Sequence, residues 1–557
     1  MSKISTMRFL ILIPFFMFLN ANAQTGSIKG RLTSDGRMIE FVSVGLSGTT
    51  FSASTDEKGL FLIKEIPFGK YEFVITMTGY KVEKRKIEIT SIEPIIIDQE
   101  LFSLTGSLNE IVITGTMKEM SRLDSPIPVE VLTPKLFQKN PTPSLFESMQ
   151  MVNGVQPQLN CNVCNTGDIH INGMEGPYTM ITIDGMPIVS ALSTVYGLSG
   201  IPNSLVNRIE VVKGPASTLY GSEAVGGLIN VVTKNPKDAP RVNVDLFVTT
   251  DQEYNIDLGF KTSTKKANTL LGINYFNFQN PMDKNGDNFT DITLQNRISI
   301  FNKWNFVRKD KRVANVAARF VYEDRWGGEM QYENKFRGTD SVYGESIYTS
   351  RYELIGIYQL PIKQENVFLQ YSFNNHNHNS YYGTTSYQAV QNIAFAQLYW
   401  NKKLSERADL LVGLPIRYTY YDDNTPGTVS IDSLFPRNKP QHTYLPGIFV
   451  QTELKYKKVI TLAGLRYDYN TEHGSILSPR LAFKLAVNKN NIIRLSMGNG
   501  YRVVNLFTED HAALTGAREV VIKNNLKPEK SWNVNLNFQK SIVLENTYIS
   551  IDASAFY

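Results

Sequence analysis

Beyond Arg241 apolar and polar residues alternate almost one by one, segment after segment. In Ile292-Thr293-Leu294-Gln295-Asn296-Arg297-Ile298-Ser299-Ile300 the even positions are mostly apolar and the odd ones polar. Ser531-Trp532-Asn533-Val534-Asn535-Leu536-Asn537-Phe538-Gln539 keeps the pattern more strictly. A period of two marks a strand with two unlike faces. One such strand would also fit a soluble antiparallel sheet. Its repetition, with aromatic residues at the segment ends, predicts an antiparallel transmembrane β-barrel over 240–557, one face on lipid and the other on a wet lumen. About fifteen segments reach the ~10-residue length that a tilted spanning strand needs. The last begins near Asn546 and is still alternating at Tyr557. Single-chain bacterial barrels have even strand numbers, and plugged ones of this size have about 22. The barrel is therefore expected to be incomplete at its C-terminal end, as in a fragment or a prematurely ended copy.

Two other textures precede the barrel. Over 24–102, Tyr71, Phe73, Ile75 and Met77 alternate with Glu72, Val74 and Thr76, and turn residues (Asp56-Glu57-Lys58-Gly59, then Ile66-Pro67-Phe68-Gly69) bracket them. This predicts a compact β-sandwich. Over 120–236, short apolar strands are separated by glycine turns, which points to a small α+β domain. Between the two lies a short link, 107–116, with a β-prone pentad at its centre. At the other end, Lys3 and Arg8 precede an apolar run from Phe9 to Leu19, followed by Ala21-Asn22-Ala23. Residues 1–23 thus read as a cleavable signal peptide, with mature protein starting near Gln24. The run is too short for a membrane anchor, and no Cys follows it to carry a lipid.

Composition narrows the class. At 557 residues several domains are required. Fifty-seven basic against 52 acidic side chains leave a net charge of +5, too dilute for a nucleic-acid footprint. No internal segment approaches the ~20 apolar residues of a spanning helix, so any membrane crossing is made by strands. None of His170, His376, His378, His442, His473 and His511 has a Glu at zinc-peptidase spacing, and nothing calls for a bound cofactor. The chain is not expected to be an enzyme.

Specific blocks then carry family resemblances. Thr55-Asp56, Gly59, Phe61, Pro67, Gly69 and Tyr71 resemble the carboxypeptidase regulatory-like domain. A longer series runs Asp168-Ile169-His170-Ile171-Asn172-Gly173, Met180-Ile181-Thr182-Ile183-Asp184-Gly185-Met186-Pro187, Arg208-Ile209-Glu210-Val211-Val212-Lys213-Gly214-Pro215, Tyr220-Gly221, Gly226-Gly227 and Asn230. In this order it resembles the plug domain of TonB-dependent outer-membrane receptors. The resemblance implies a plug inside a barrel of about 22 strands in full-length relatives. It further implies an outer-membrane location in a Gram-negative cell, surrounding outer-membrane lipid, and TonB with its inner-membrane energising complex as partner. Glu110-Ile111-Val112-Ile113-Thr114 then resembles a TonB box, the peptide that TonB grips as an added strand. From the residues alone the pentad fits equally a strand of either neighbouring domain.

Cys161 and Cys164, the only cysteines, fall in the plug. In an oxidising periplasm a disulfide across this tight loop is the leading reading; a soft metal site with His170 as third ligand is the alternative. By family likeness this loop faces the substrate pocket, which makes Cys161, Cys164 and His170 contact candidates. His511 is a fourth, because it lies between Tyr501-Arg502-Val503-Val504 and Asn525-Leu526, blocks that bracket a His in haem-uptake members. Strand order places the connections after odd strands outside, including Asp283-Lys284-Asn285-Gly286-Asp287-Asn288, whose spacing is out of step with an EF-hand. The implied function is energised import of a large scarce nutrient, a ferric siderophore first, with haem, cobalamin or another metal complex as alternatives. The competing class is a structural or adhesive barrel that transports nothing.

Overall fold

The computed structural model describes residues 24–34, 37–77, 80, 83–101, 111–139, 142, 144–161, 166–187, 192, 198, 200–221, 223–430, 437–488, 490–504, 507, 521–522, 526–544 and 547–557. The signal-peptide segment, Glu110, Cys164 and His511 lie outside these residues, as does the side chain of Cys161. The chain divides into two compact units, 1–109 and 110–557.

The first unit is a two-sheet sandwich. Thr25–Ser34 pairs antiparallel with Leu60–Pro67, while a second sheet runs Ser52–Ser54, Ser43–Leu46, Gly69–Thr76, Glu83–Ile89. Phe73 and Ile75 are buried with Ile28, Leu32, Val44 and Phe61, and Tyr71 and Met77 pack against that core. The expected alternation is thus realised. Asp56 Oδ1 accepts the amides of Lys58 and Leu60, both at 2.9 Å, and Gly59 between them takes a positive φ of 69°; together they fix the turn.

Within the second unit a fifteen-stranded antiparallel sheet runs in strict chain order from Val242–Val248 to Thr547–Phe556. Long connections (279–293, 329–343, 424–440, 503–528) follow only odd-numbered strands, as expected if short turns face the periplasm. Alternation sorts the faces: Leu354, Phe373, Leu398, Leu414, Ile416 and Ile448 are exposed outward, whereas Arg319, Gln370, Asn374, Gln391 and Gln397 are buried inward. Trp532, Val534, Leu536 and Phe538 likewise point outward, and Asn535, Asn537 and Gln539 inward. No helix among the described residues is long and apolar enough to cross a membrane.

The inward face surrounds a small domain built on a mixed five-stranded sheet. Its order is Val129–Leu132, Val206–Lys213, Gly227–Thr233, Thr179–Ile183, Met186–Pro187, and only the third and fourth strands are parallel. Asp184 and Gly185 form the two-residue turn of the last hairpin with φ of 50° and 77°, the conformation that an Asp-Gly pair favours. Ile181, Ile183, Ile209, Val211, Ile229 and Val231 make a core that continues onto Leu270, Phe301 and Ile355 of the barrel wall. Barrel glycines make room for this contact: a Cβ on Gly272 would lie 2.6 Å from Leu205, and one on Gly500 would lie 2.6 Å from Val225.

Candidate functional site

The pentad is seated on the inner domain. Ile111–Val112 pairs with Met120–Ser121, and Val112 and Thr114 are each 1 % exposed. The seat is Glu210, a fully buried carboxylate on the central strand Val206–Lys213. Its Oε2 accepts the amides of Ile113 (2.9 Å) and Thr114 (2.8 Å) and the Thr114 hydroxyl (2.5 Å). Arg208 Nε donates to the other oxygen at 2.6 Å, which compensates the buried charge. Asn230, opposite Glu210 in register, donates from Nδ2 to the Thr114 hydroxyl (2.9 Å). Its Oδ1 accepts the Gly185 amide (2.9 Å) and the Thr182 hydroxyl (3.0 Å). Glu210 and Asn230 thus meet at Thr114, and Asn230 links that threonine on to the Thr182–Gly185 turn.

Polar contacts tie this domain to the wall. Asp184 Oδ2 meets Lys303 Nζ at 2.8 Å and Lys118 meets Asp409 at 2.7 Å. Arg417 grips both oxygens of Glu223, at 2.8 and 2.6 Å. Burial alone would raise the Glu223 carboxyl, but the Arg417 guanidinium, with Arg502 and Arg466 nearby, outweighs it and holds the group below its ordinary value. Arg494 donates to the backbone carbonyls of Ser125, Arg122 and Leu123.

Of the other sequence candidates, His170 Nε2 lies 2.8 Å from Asp168 Oδ1 on the strand Thr166–Ile171. Its hairpin partner Val155–Cys161 ends at Cys161, whose backbone faces Thr166. Among the described residues no cluster of three or more His, Cys, Asp or Glu could hold a metal ion. Gly173, Gly214 and Gly221 all take positive φ, and a Cβ on Gly227 would strike the Val212 carbonyl at 2.6 Å. A Cβ on Gly226 would lie 3.3 Å from Met174, Lys213 pairs with Glu130, and Tyr220 is buried. The 283–288 loop closes on itself, with Asp283 accepting the amides of Gly286, Asp287 and Asn288. His376 and His378 are buried on barrel strand seven, Asn366–Tyr382, facing inward.

Sequence reading missed one inward cluster. Arg297, Arg319, Arg325 and Arg351 on strands four to six surround Glu323 and Glu353, all at most 5 % exposed. Arg319 contacts Glu353 at 3.2 Å and Arg297 contacts Glu323 at 3.6 Å. The wall itself carries four guanidinium groups against two carboxylates, and Glu147 of the inner domain lies near Arg297 as a third acidic group. Buried charges at inward positions of an alternating strand were the available signal.

A plug-like domain enclosed by antiparallel strands with lipid-suited outer faces defines an outer-membrane receptor architecture, and the comparisons identify which. Residues 241–557 match the TonB dependent receptor-like β-barrel family, 121–228 the TonB-dependent Receptor Plug Domain, and 28–113 the CarboxypepD_reg-like domain. The chain belongs to the TonB-dependent receptors, which are outer-membrane β-barrel proteins and not enzymes.

Its relatives include the vitamin B12 transporter BtuB of Vibrio cholerae, 22 % identical over 441 residues that cover 77 % of this chain and 67 % of BtuB. The ferric enterobactin receptor PirA of Pseudomonas aeruginosa is 21 % identical, over 74 % of this chain and 63 % of PirA. A structure of the pyoverdine-bound FpvA of P. aeruginosa superposes with a TM-score of 0.61 at 14 % identity, covering 81 % of this chain and 66 % of FpvA. The ferric enterobactin receptor PfeA of the same species gives 0.58 at 16 %, covering 75 % and 69 %. The matched region thus spans about two thirds of these relatives, and the likeness to solved structures is one of fold.

Proposed function

We propose that this chain is the receptor of an energised importer for a ferric siderophore, exported by its N-terminal signal peptide into the outer membrane of a Gram-negative cell. The observation that carries the choice of ligand is the inward arginine cluster. A wall with four arginines against two glutamates attracts an anion, and ferric complexes of acidic chelators are anions. Likeness to PirA, PfeA and FpvA supports the same ligand class. Cobalamin is the second reading, favoured by the likeness to BtuB but drawing less from a positive wall.

The energy enters through the pentad. In this reading ligand bound above the plug weakens the Glu210 seat, residues 110–114 become available to TonB, and TonB adds them to its own sheet. Pulling then remodels the plug. Cys161, Cys164, His170 and His511 are proposed ligand contacts from the outer side.

Uptake by a deletion strain complemented with this receptor tests both parts. Growth on ferric enterobactin and not on cobalamin supports the siderophore reading; the reverse selects cobalamin, and growth on neither rejects import of both. Removing residues 110–114 should leave binding of the imported ligand intact and abolish its uptake. Unchanged uptake would refute the pentad's role.

A further inference from the structure

Barrel strands eight and nine, Thr385–Ser405 and Ala408–Asp423, bring two phenols and a carboxylate together on the inward face. Tyr387 and Tyr421 share a hydrogen bond between their hydroxyls at 2.9 Å, and the Tyr421 hydroxyl donates to Asp423 Oδ2 at 2.6 Å. Asp423 Oδ1 is committed elsewhere. It accepts the Thr425 amide at 3.0 Å and the hydroxyls of Thr425 and Thr428, each at 2.8 Å. That cap fixes the direction of the carboxylate and leaves Oδ2 to the phenols. All three side chains are at most 6 % exposed. Asp423 ends strand nine where the 424–440 connection begins, so the cluster lies at the outer end of the barrel.

Strand register explains why these groups converge. His378, Ala389 and Asp423 stand side by side in one row across strands seven to nine. Ala389, buried at the middle of the row, sends only a methyl group inward, so the longer side chains around it close over it. Adjacent strands lie ~4.8 Å apart, which puts His378 and Asp423 about 10 Å from each other, a span that a histidine, one small ion and an aspartate fill. The His378 ring packs 5.2 Å from that of Tyr387, and its Nε2 meets Ser380 Oγ at 3.0 Å.

Donor chemistry limits the ion. Phenolate and carboxylate oxygens are hard donors and select hard cations. Two phenolates and one carboxylate carry three negative charges, which a trivalent ion cancels and a divalent ion does not; burial penalises the remainder. The oxygen separations of 2.9 and 2.6 Å also lie near the edge length, about 2.9 Å, of an octahedron with bonds of ~2.0 Å. Ferric iron is the hard trivalent ion in common biological use.

We infer that Tyr387, Tyr421 and Asp423, with the His378 imidazole opposite, bind one ferric ion directly over Ala389. Iron passes from its carrier onto the two phenol oxygens and Asp423 Oδ2, two phenol protons leave to solvent, and the iron stays in the +3 state. His378 exchanges its Ser380 contact for the ion. The site holds the metal itself, whichever complex the receptor imports.

The purified receptor, titrated with ferric nitrilotriacetate and desalted, tests this by retained iron and by the visible phenolate-to-iron charge-transfer band. One equivalent of iron and the band are expected. Tyr387→Phe and Tyr421→Phe keep the ring and remove one donor each. Each should weaken retention at least about a hundredfold, the upper cost of losing even an outer-shell partner, and together they should abolish the band. Ala389→Leu removes no donor but fills the floor, and should abolish retention even if a phenylalanine variant fails to fold. Gallium nitrilotriacetate should displace the iron and its colour, whereas zinc at the same concentration should not. No band in the parent, an equal band in the folded double variant or in folded Ala389→Leu, or displacement by zinc would each overturn the inference. A colourless parent receptor that still imports ferric enterobactin would remove this site and leave the proposed function intact.

Discussion

Replacing Glu210 by Ala should release the pentad without ligand. Three hydrogen bonds from residues 113 and 114 converge on one carboxylate oxygen that is fully buried. A bond to a charged group contributes ~1.5–3 kcal/mol, but three bonds to one atom are not additive, so about 3 kcal/mol is a reasonable sum. At about 1.4 kcal/mol per factor of ten, this raises the population of the released segment roughly 150-fold. Amide hydrogen exchange of the peptide spanning 111–116, measured by mass spectrometry on purified receptor, reads that population. Glu210→Gln, which keeps one acceptor of the same size, should fall between at roughly tenfold. Thr114→Val removes only the hydroxyl and its contacts to Glu210 and Asn230, and should also give a smaller rise. If exchange at 113 and 114 stays within about threefold of the parent in a folded Glu210→Ala protein, a difference below ~1 kcal/mol, Glu210 is not what seats the segment.

Other consequences follow from the plug's attachments. Glu223 is held below its ordinary value by Arg417, so its stabilising contribution is complete above the normal carboxylate range and is lost as pH falls through the lowered value. Urea-induced release of the plug, followed by limited proteolysis, should therefore become easier below about pH 4. Arg417→Ala should remove that acid step and cost about 2 kcal/mol at pH 7, allowing for the 24 % exposure of Glu223. Gly272→Val should lower the plug's thermal stability by about 1–3 kcal/mol through overpacking against Leu205, with the barrel's strand content unchanged by circular dichroism. Alkylation of Cys161 and Cys164 should require a reductant if they form a disulfide; labelling released by a chelator alone would select the metal alternative.

Legibility in the sequence tracked locality. The barrel strands could be read because a period of two is written into consecutive residues, and all fifteen appear in chain order. The Asp184-Gly185 turn and the sandwich strand Gly69–Thr76 were legible for the same reason. The pentad was found, but not its seat, since Thr114 and Glu210 are 96 positions apart. A Glu between Ile209 and Val211 in a strand buried on both faces was the hint that a buried partner had to exist. Glu223 and Arg417 stand 194 apart, and the inward arginine cluster forms only once strands four to six are set in register. Cross-strand neighbours of this kind are set by pairing, which a single strand's pattern does not specify.

The chain order of these contacts also sets how the plug would yield under load. Tension applied ahead of residue 111 first meets the two-pair ladder of Ile111–Val112 with Met120–Ser121, together with the Glu210 seat. It also reaches Lys118, held by Asp409 of the wall, then Arg122, Leu123 and Ser125, whose carbonyls Arg494 holds, and then the four-residue edge strand Val129–Leu132, paired on one side only, with Val206–Lys213. Each stage is small, and each must open before the next is stressed. The plug is therefore built to peel from one edge like a zip fastener, leaving the parallel pair at its centre and the wall contacts of Glu223 and Asp184 to hold the remainder in place.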